Sequence, residues 1–218
     1  MTSSQNSPLR LRRIEKDDLP LHAFLSEADE CYYLYEYTSG RNFSHSPAND
    51  RINNLKKDVR YKGTAAWGYK DGAILQCAHE FKQTLNPKFL AAAVIAPVPP
   101  SKAKSDTAYD DRMVRLAQAM SGNVRELVTQ SASRQAAHAS QPGERTSIDE
   151  LKKLYVIDEA LAAPEPGLIV ILDDVLTTGR HYVAMRDVLR ARFPNARIAG
   201  LFVARRVFPT EGDLADFI

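Results

Sequence analysis

The spacing of apolar residues along the chain predicts strands and helices in alternation. Short apolar or aromatic runs between Gly, Pro or polar clusters are typical of buried strands. Apolar residues at helical spacing after a capping residue are typical of amphipathic helices. The predicted strands are 31–37, 90–96, 124–129, 154–157, 168–172 and 197–204, and the predicted helices are 47–57, 71–85, 106–120 and 180–193. This alternation predicts an α/β fold with a doubly wound, mostly parallel sheet, whose ligands bind beyond the carboxyl ends of the strands.

The same pattern divides the chain into three segments. Residues 1–55 form a small N-terminal α+β extension: a flexible arm over 1–16, a helix start near Asp17 or Asp18, and a Tyr-rich strand. Residues 56–210 carry the main α/β domain, and 211–218 form an acidic C-terminal tail. A polar stretch without periodicity at 130–147 predicts a long mobile loop, and such loops in compact domains are often functional.

Composition narrows the class of protein without indicating a ligand. With 218 residues and 44% hydrophobic content, the chain can build one sizeable core. The net charge of +2 gives no general reason to expect nucleic acid as the primary ligand, or a membrane. Cys31 and Cys77 lie far apart, so we expect neither zinc nor a disulfide. No apolar run approaches the roughly 18 residues of a membrane span, so we expect a soluble, cytoplasmic protein.

The segment 168–181 carries the strongest chemical signal. An apolar strand leads to Asp173 and Asp174, and a Thr-Thr-Gly turn follows before a helix. The turn and the helix start present unpaired backbone N–H groups to a phosphate, and Gly179 lets the backbone come close. Paired carboxylates beside such a pocket suit sugar hydroxyls or a hard divalent cation. A phosphorylated ribose suits both the phosphate pocket and the paired carboxylates. The alternative is that the segment is an ordinary strand-turn-helix with an acidic cap and binds no ligand.

The run IVILDDVLTTG at 169–179 closely resembles the motif with which type I phosphoribosyltransferases bind 5-phosphoribosyl-1-pyrophosphate (PRPP). The resemblance implies that Asp173 and Asp174 hold the ribose hydroxyls, with Mg2+ near them on the pyrophosphate. It also implies that the turn grips the 5′-phosphate. The residues that would bind PRPP here are Asp173, Asp174, Val175, Leu176, Thr177, Thr178, Gly179, Arg180 and His181.

Two positions depart from the family pattern. Thr177 stands where the hypoxanthine-guanine branch has an Asp that accepts a proton from the purine, and a threonine cannot do so at neutral pH. Purine salvage is therefore disfavoured. His181 stands where Ser or Thr is usual; an imidazole can donate to phosphate in a way that varies with pH around 6.5, or it can be a helix-surface residue. Both readings of His181 stay open.

A wider stretch, from VIAPVPPSKAK at 94–104 to Arg145, is similar to the competence-associated ComF-type branch. The resemblance implies a pyrophosphate loop formed by Pro99, Pro100, Ser101 and Lys102; the alternative is a plain proline-rich turn. It also implies a lid at 130–147 whose Arg134, His138 and Arg145 neutralise pyrophosphate; the alternative is a solvated loop. The zinc module of that branch is absent, so a role in DNA uptake does not carry over.

These observations predict a Mg2+-dependent enzyme that transfers phosphoribose from PRPP to an unidentified nitrogen acceptor and releases pyrophosphate. Asp173, Asp174, Lys102 and Arg145 are the candidate catalytic residues, with no zinc and no organic cofactor. The alternative is a non-catalytic sensor of PRPP or nucleotides, or a partner-bound effector of a stress or defence system, on the same fold. The tyrosines at 31–37 form either a hood over an aromatic acceptor or an ordinary half-buried strand. The family resemblance implies a homodimer.

Overall fold

A five-stranded, mostly parallel sheet runs through the chain in the computed structural model, which describes residues 9–133 and 146–209. The strands are β1 (Arg12–Arg13), β2 (Cys31–Thr38), β3 (Val94–Pro97), β4 (Val128–Gln130), β5 (Tyr155–Ile157), β6 (Leu168–Leu176) and β7 (Arg197–Val207). The sheet order is β1-β2-β7-β6-β3, and only the β1–β2 pair is antiparallel. β4 and β5 form a separate antiparallel ribbon.

Helices cover both faces of the sheet. They are α1 (Pro47–Leu55), α2 (Trp67–Thr84), α3 (Pro87–Ala92), α4 (Arg112–Met120), α5 (Ile148–Leu154) and α6 (Arg180–Arg192). Successive strand side chains point to opposite faces, so β6 supplies two cores. Ile169 and Ile171 join the core under α5 and α6, while Val170 and Leu172 join the core under α1, α2 and α4. The predicted α/β class and mostly parallel sheet are confirmed.

Local capping explains where the predicted elements begin. Ser46 accepts a hydrogen bond from the Asn49 N–H and Pro47 occupies the first turn, so α1 starts as predicted. The Tyr-rich strand is confirmed as β2, which lies inside the sheet between β1 and β7. The long apolar runs that predicted β6 and β7 are also confirmed, and both strands extend further than their apolar cores.

Several predicted boundaries are wrong, and one helix is absent from the prediction. The strand predicted over 124–129 forms only at Val128–Gln130, and the helix predicted over 71–85 already begins at Trp67. The strand predicted over 90–96 begins only at Val94, because Asn86 caps a short helix, α3, that takes up residues 87–92. The helix predicted from 106 begins at Arg112, since the Asp106 side chain accepts from the Ala108 N–H and holds a turn instead. Helix α5 was not predicted, although Ser147 and Glu150 form a capping box.

The predicted flexible arm is wrong for its last part. Arg12 and Arg13 form β1 and pair with Tyr33 and Tyr32. The helix start predicted near Asp17 or Asp18 is confirmed by a 3-10 helix, Lys16–Leu21. The beginning of the arm and the predicted tail at 211–218 lie outside the described residues. Within the described parts of the chain, no helix combines the length and the apolar character needed to cross a bilayer.

Candidate functional site

The turn between β6 and α6 forms one side of the candidate site. Gly179 caps α6 with φ of 86°, in the left-handed region that favours glycine. The helix therefore begins abruptly after the strand, and the N–H groups of its first turn have no partner within the helix. Thr177 and Thr178 are partly exposed at this turn. Together these groups form a cradle of the kind that binds anions at helix N-termini.

The N-terminal extension holds this turn from behind. His22 Nδ1 lies 2.5 Å from the Thr177 carbonyl oxygen, and the Phe24 N–H donates to the Thr178 carbonyl at 3.0 Å. In a trans peptide the C=O and the following N–H point in opposite directions. The N–H groups of Thr178 and Gly179 therefore point away from the extension, and they make no hydrogen bond to any described residue.

Asp174 is a buried carboxylate enclosed by cations. It is 4% exposed, and its Oδ1 lies 3.1 Å from Lys56 Nζ. Its Oδ2 accepts from Arg112 Nε at 3.0 Å and from Arg112 Nη2 at 2.6 Å. Burial alone would raise the pKa of Asp174, but Lys56 and Arg112 outweigh burial and hold that pKa well below its usual range. Asp174 is therefore ionised and already paired.

Asp173 has different surroundings from its neighbour. It is partly exposed, and its Oδ1 accepts from the Asp174 N–H at 2.8 Å. Desolvation and the adjacent negative charge of Asp174 raise the pKa of Asp173 to about 7. A carboxyl group that changes protonation near neutral pH can accept or donate a hydrogen bond. Of the two predicted acids, Asp173 is thus the one with hydrogen-bonding capacity left for a ligand.

Arg112 links Asp174 to a second buried pair. Its Nη1 donates to Asp110 Oδ2 at 2.6 Å, and the same carboxylate oxygen accepts from Lys70 Nζ at 2.7 Å. Lys70 is fully buried and also donates to the Lys57 carbonyl at 2.7 Å. Burial lowers the pKa of Lys70, although Asp110 opposes this shift. The result is a connected charge network under one side of the site.

Sequence reasoning missed most of this network. Asp110 also accepts from the Arg112 N–H at 3.1 Å, at the start of α4. The ion pairs of Arg112, Lys56 and Lys70 went unnoticed because Arg112 and Asp174 are 62 positions apart. A single sequence carries no signal for such a contact. Only the run of charge at 110–112 beside the helix start could have drawn attention to it.

The predicted pyrophosphate loop lies at the same edge of the sheet. Pro97 pairs with Leu172, and the Val98 N–H donates to the Leu172 carbonyl at 2.9 Å, so the loop leaves β3 beside Asp173. Gln130 Nε2 donates to the Ser101 carbonyl at 2.7 Å and ties the loop to β4. A cavity of about 370 Å³ lies here, and its lining includes Pro99, Pro100, Lys102, Tyr109, Glu126 and Gln130.

The remaining predicted residues have distinct positions. Val175 and Leu176 are 7% and 1% exposed and their side chains pack in the two cores, so only their backbone could contact a ligand. Arg180 Nη1 donates to the Thr146 carbonyl at 3.0 Å, and the guanidinium lies 5.1 Å from the Phe24 ring centroid. His181 Nδ1 lies 3.0 Å from the Tyr155 hydroxyl.

The predicted lid residues Arg134, His138 and Arg145 lie outside the described residues. Lys102 Nζ is 3.8 Å from Asp106 Oδ2, a loose ion pair, and the side chain remains 38% exposed beside the cavity. Residues 9–133 and 146–209 contain no group of three or more His, Cys, Asp or Glu that could hold a metal ion. Cys31 and Cys77 are both buried free thiols.

Comparison with known proteins gives no family for this chain. No family model matches the sequence, and no curated protein matches it.

Proposed function

We propose that this chain binds PRPP at the carboxyl edge of its sheet and transfers the phosphoribosyl group to a nitrogen acceptor. One observation carries the proposal. The Thr178 and Gly179 N–H groups face away from the extension at the start of α6, a few residues after the partly exposed Asp173. A ligand that carries a phosphate next to sugar hydroxyls matches this order of donors and acceptor.

In this proposal the two ends of PRPP meet different parts of the site. The 5′-phosphate accepts from the turn 177–180, with the hydroxyls of Thr177 and Thr178 as further donors. A ribose hydroxyl bonds to Asp173. The pyrophosphate, which brings its own Mg2+, lies along Pro99, Pro100 and Ser101 with Lys102 as the cation. Lys102 fits this role because it remains partly exposed beside the cavity.

The reaction is a displacement at C1′ of the ribose. The acceptor nitrogen forms a bond to C1′ and loses a proton to solvent, while the bond from C1′ to the pyrophosphate oxygen breaks and pyrophosphate leaves with the electron pair. Positive charge grows on C1′ and negative charge grows on the leaving group. Asp173, when ionised, lies near the positive charge, and Lys102 lies near the negative charge. Placing fixed charges where charge develops is the main source of rate enhancement at such sites.

A second candidate function is a PRPP or nucleotide sensor without turnover. The observation in its favour is Asp174, which is 4% exposed and paired with both Arg112 and Lys56. A ribose that used both carboxylates would have to displace these cations, and separating a buried ion pair is unfavourable. With Asp173 alone, the site could bind the ligand but orient it less strictly.

Calorimetric titration with PRPP and Mg2+ tests the binding proposal. The wild type should bind in the micromolar range, and Asp173→Asn should weaken binding at least tenfold, which corresponds to about 1.4 kcal/mol. Asp174→Asn is the matched control at the adjacent position, because its charge already belongs to Arg112 and Lys56. Asp174→Asn should lower the stability of the fold more than it weakens PRPP binding. A folded wild type that does not bind PRPP contradicts the proposal.

Pyrophosphate release separates the two candidate functions. The wild type is incubated with PRPP, Mg2+ and a panel of nitrogen acceptors, including purines, pyrimidines, pyridine carboxylates and small amines. Release that depends on an acceptor and is lost in Lys102→Ala supports transfer. Tight binding of PRPP without release under any of these conditions favours the sensor.

A further inference from the structure

We infer that residues 22–25, which we call the N-terminal strap, hold the turn 177–179 in the conformation that exposes its N–H groups. His22 and Leu25 would then be positioning residues of the phosphate site, although neither lies on its ligand side. The part of this inference that concerns a phosphate ligand rests on the proposed function. The part that concerns the turn itself does not.

His22 is the central residue of the strap. It is 0% exposed, and because a carbonyl can only accept, Nδ1 must carry the hydrogen that bonds to Thr177. Burial lowers the pKa of His22, with Arg205 and Arg206 adding to the shift against the opposing effect of the Thr177 carbonyl. The ring is therefore neutral and its Nε2 is an acceptor, which makes no hydrogen bond among the described residues. Among the described residues, the Thr177 carbonyl is the hydrogen-bond partner of the ring's Nδ1–H.

Phe24 and Leu25 complete the strap. The Phe24 N–H holds the next carbonyl, that of Thr178, so two successive peptide groups of the turn are oriented from the same side. A Cβ placed on Gly179 would lie 2.8 Å from Leu25 Cδ2 and 2.9 Å from Leu25 Cγ. Leu25 is 8% exposed and so cannot move freely into solvent. The strap therefore contacts all three residues of the turn.

The physical consequence is preorganisation. Two N–H groups that already point toward the ligand do not have to be ordered when phosphate binds, and this saves conformational entropy. If the His22 donor is lost, the Thr177 carbonyl is left without its partner and the peptide groups of the turn can rotate. We expect PRPP to bind about tenfold more weakly as a result, whereas contacts to the ribose and the pyrophosphate remain.

The test compares His22→Asn with His22→Leu. The two side chains have nearly the same shape, but Asn carries an N–H donor at about the position of Nδ1 and Leu carries none. The first readout needs no ligand: 15N relaxation should give Thr178 and Gly179 order parameters near 0.85 in the wild type and in His22→Asn, and below about 0.6 in His22→Leu. The second readout is calorimetry with PRPP and Mg2+. The affinity of His22→Leu for PRPP should be about tenfold lower than that of the wild type, whereas the affinity of His22→Asn should stay within about threefold of it.

The two readouts separate the two proposals. If the wild type does not bind PRPP, the proposed function is wrong, and the order parameters still decide whether the strap orders the turn. The inference is overturned if His22→Leu leaves the turn as ordered as in the wild type, or if His22→Asn is as disordered as His22→Leu. Should His22→Leu fail to fold, Leu25→Ala gives the same test, with lower order expected at Gly179.

Discussion

Replacing Arg112 by Met should destabilise the protein by about 3 kcal/mol at pH 8. The change removes two hydrogen bonds to Asp174, of 3.0 and 2.6 Å, and one to Asp110 of 2.6 Å. Breaking a buried ion pair from one side usually costs about 3–5 kcal/mol, since it leaves an uncompensated charge. Lys56 still lies 3.1 Å from the carboxylate and is 39% exposed, which places the expected loss at the lower end.

Urea denaturation of the wild type and of Arg112→Met, from pH 8 to pH 4, measures this loss and its pH dependence. In the wild type the pKa of Asp174 is lowered, so its contribution to stability is present above the unfolded pKa of about 3.9 and is lost as the pH falls through the lower folded value. In the variant the pKa of Asp174 should be raised. As the pH falls, Asp174 is protonated in Arg112→Met before it is protonated in the wild type, and its unpaired charge is removed. The difference in free energy of unfolding between the two proteins should therefore shrink as the pH falls.

The double variant Arg112→Met/Asp174→Asn is the control, because it contains no unpaired carboxylate at this position. It should be more stable than Arg112→Met by about 1–2 kcal/mol at pH 8. A loss below about 1 kcal/mol in Arg112→Met, or a loss that is the same at pH 8 and pH 4, would refute the assignment of Arg112 as the counter-ion of Asp174.

Three further changes test other parts of the structure. Gly179→Ala should lower the free energy of unfolding, measured by urea denaturation, by about 2–4 kcal/mol, since it places a Cβ at a left-handed φ and overpacks against Leu25. Adding Leu25→Ala to the same chain should relieve the overpacking but not the backbone strain. Asp173→Asn should be more stable than the wild type by about 1 kcal/mol or more at pH 8, because the raised pKa of Asp173 shows that its ionised form destabilises the folded state. This gain should vanish below about pH 4, where Asp173 is protonated in both the folded and the unfolded chain. Ser147→Ala removes the cap of α5 and should lower stability by about 1 kcal/mol; an unchanged thermal midpoint would argue against the capping box.

Elements with a strong local signal could be predicted from the sequence. The apolar run of β6 leads into two acids and a Thr-Thr-Gly turn, and this pattern correctly predicted a strand, a turn and helix α6, although β6 continues beyond its predicted end at 172 to Leu176. Alternation of strands and helices was sufficient for the α/β class. Boundaries failed where short-range capping competed with an apolar run, as at Asn86, where a helix replaces the first half of a predicted strand.

The site was less predictable than the fold, because its electrostatics depend on long-range contacts. Asp173 and Asp174 look equivalent in the sequence, yet only Asp174 meets Arg112 and Lys56. His22 lies in a segment that carried no functional signal, and it reaches Thr177 across 155 positions. These contacts depend on the order of the strands in the sheet. A single sequence does not reveal that order when an early strand such as β2 pairs with a late strand such as β7.

The sheet order has a consequence for how the chain folds. β7 is the last described strand in sequence, yet it lies between β2 and β6, and its Arg205 bonds to Glu36 across 169 positions. During synthesis β2 therefore emerges long before β7, and its tyrosines have no strand to pair with on that side until β7 has been made. Long-range parallel pairing of this kind closes slowly. A nascent chain that ends before β7 lacks the middle strand of the sheet, so β2 and β6 cannot be joined until β7 has been synthesised.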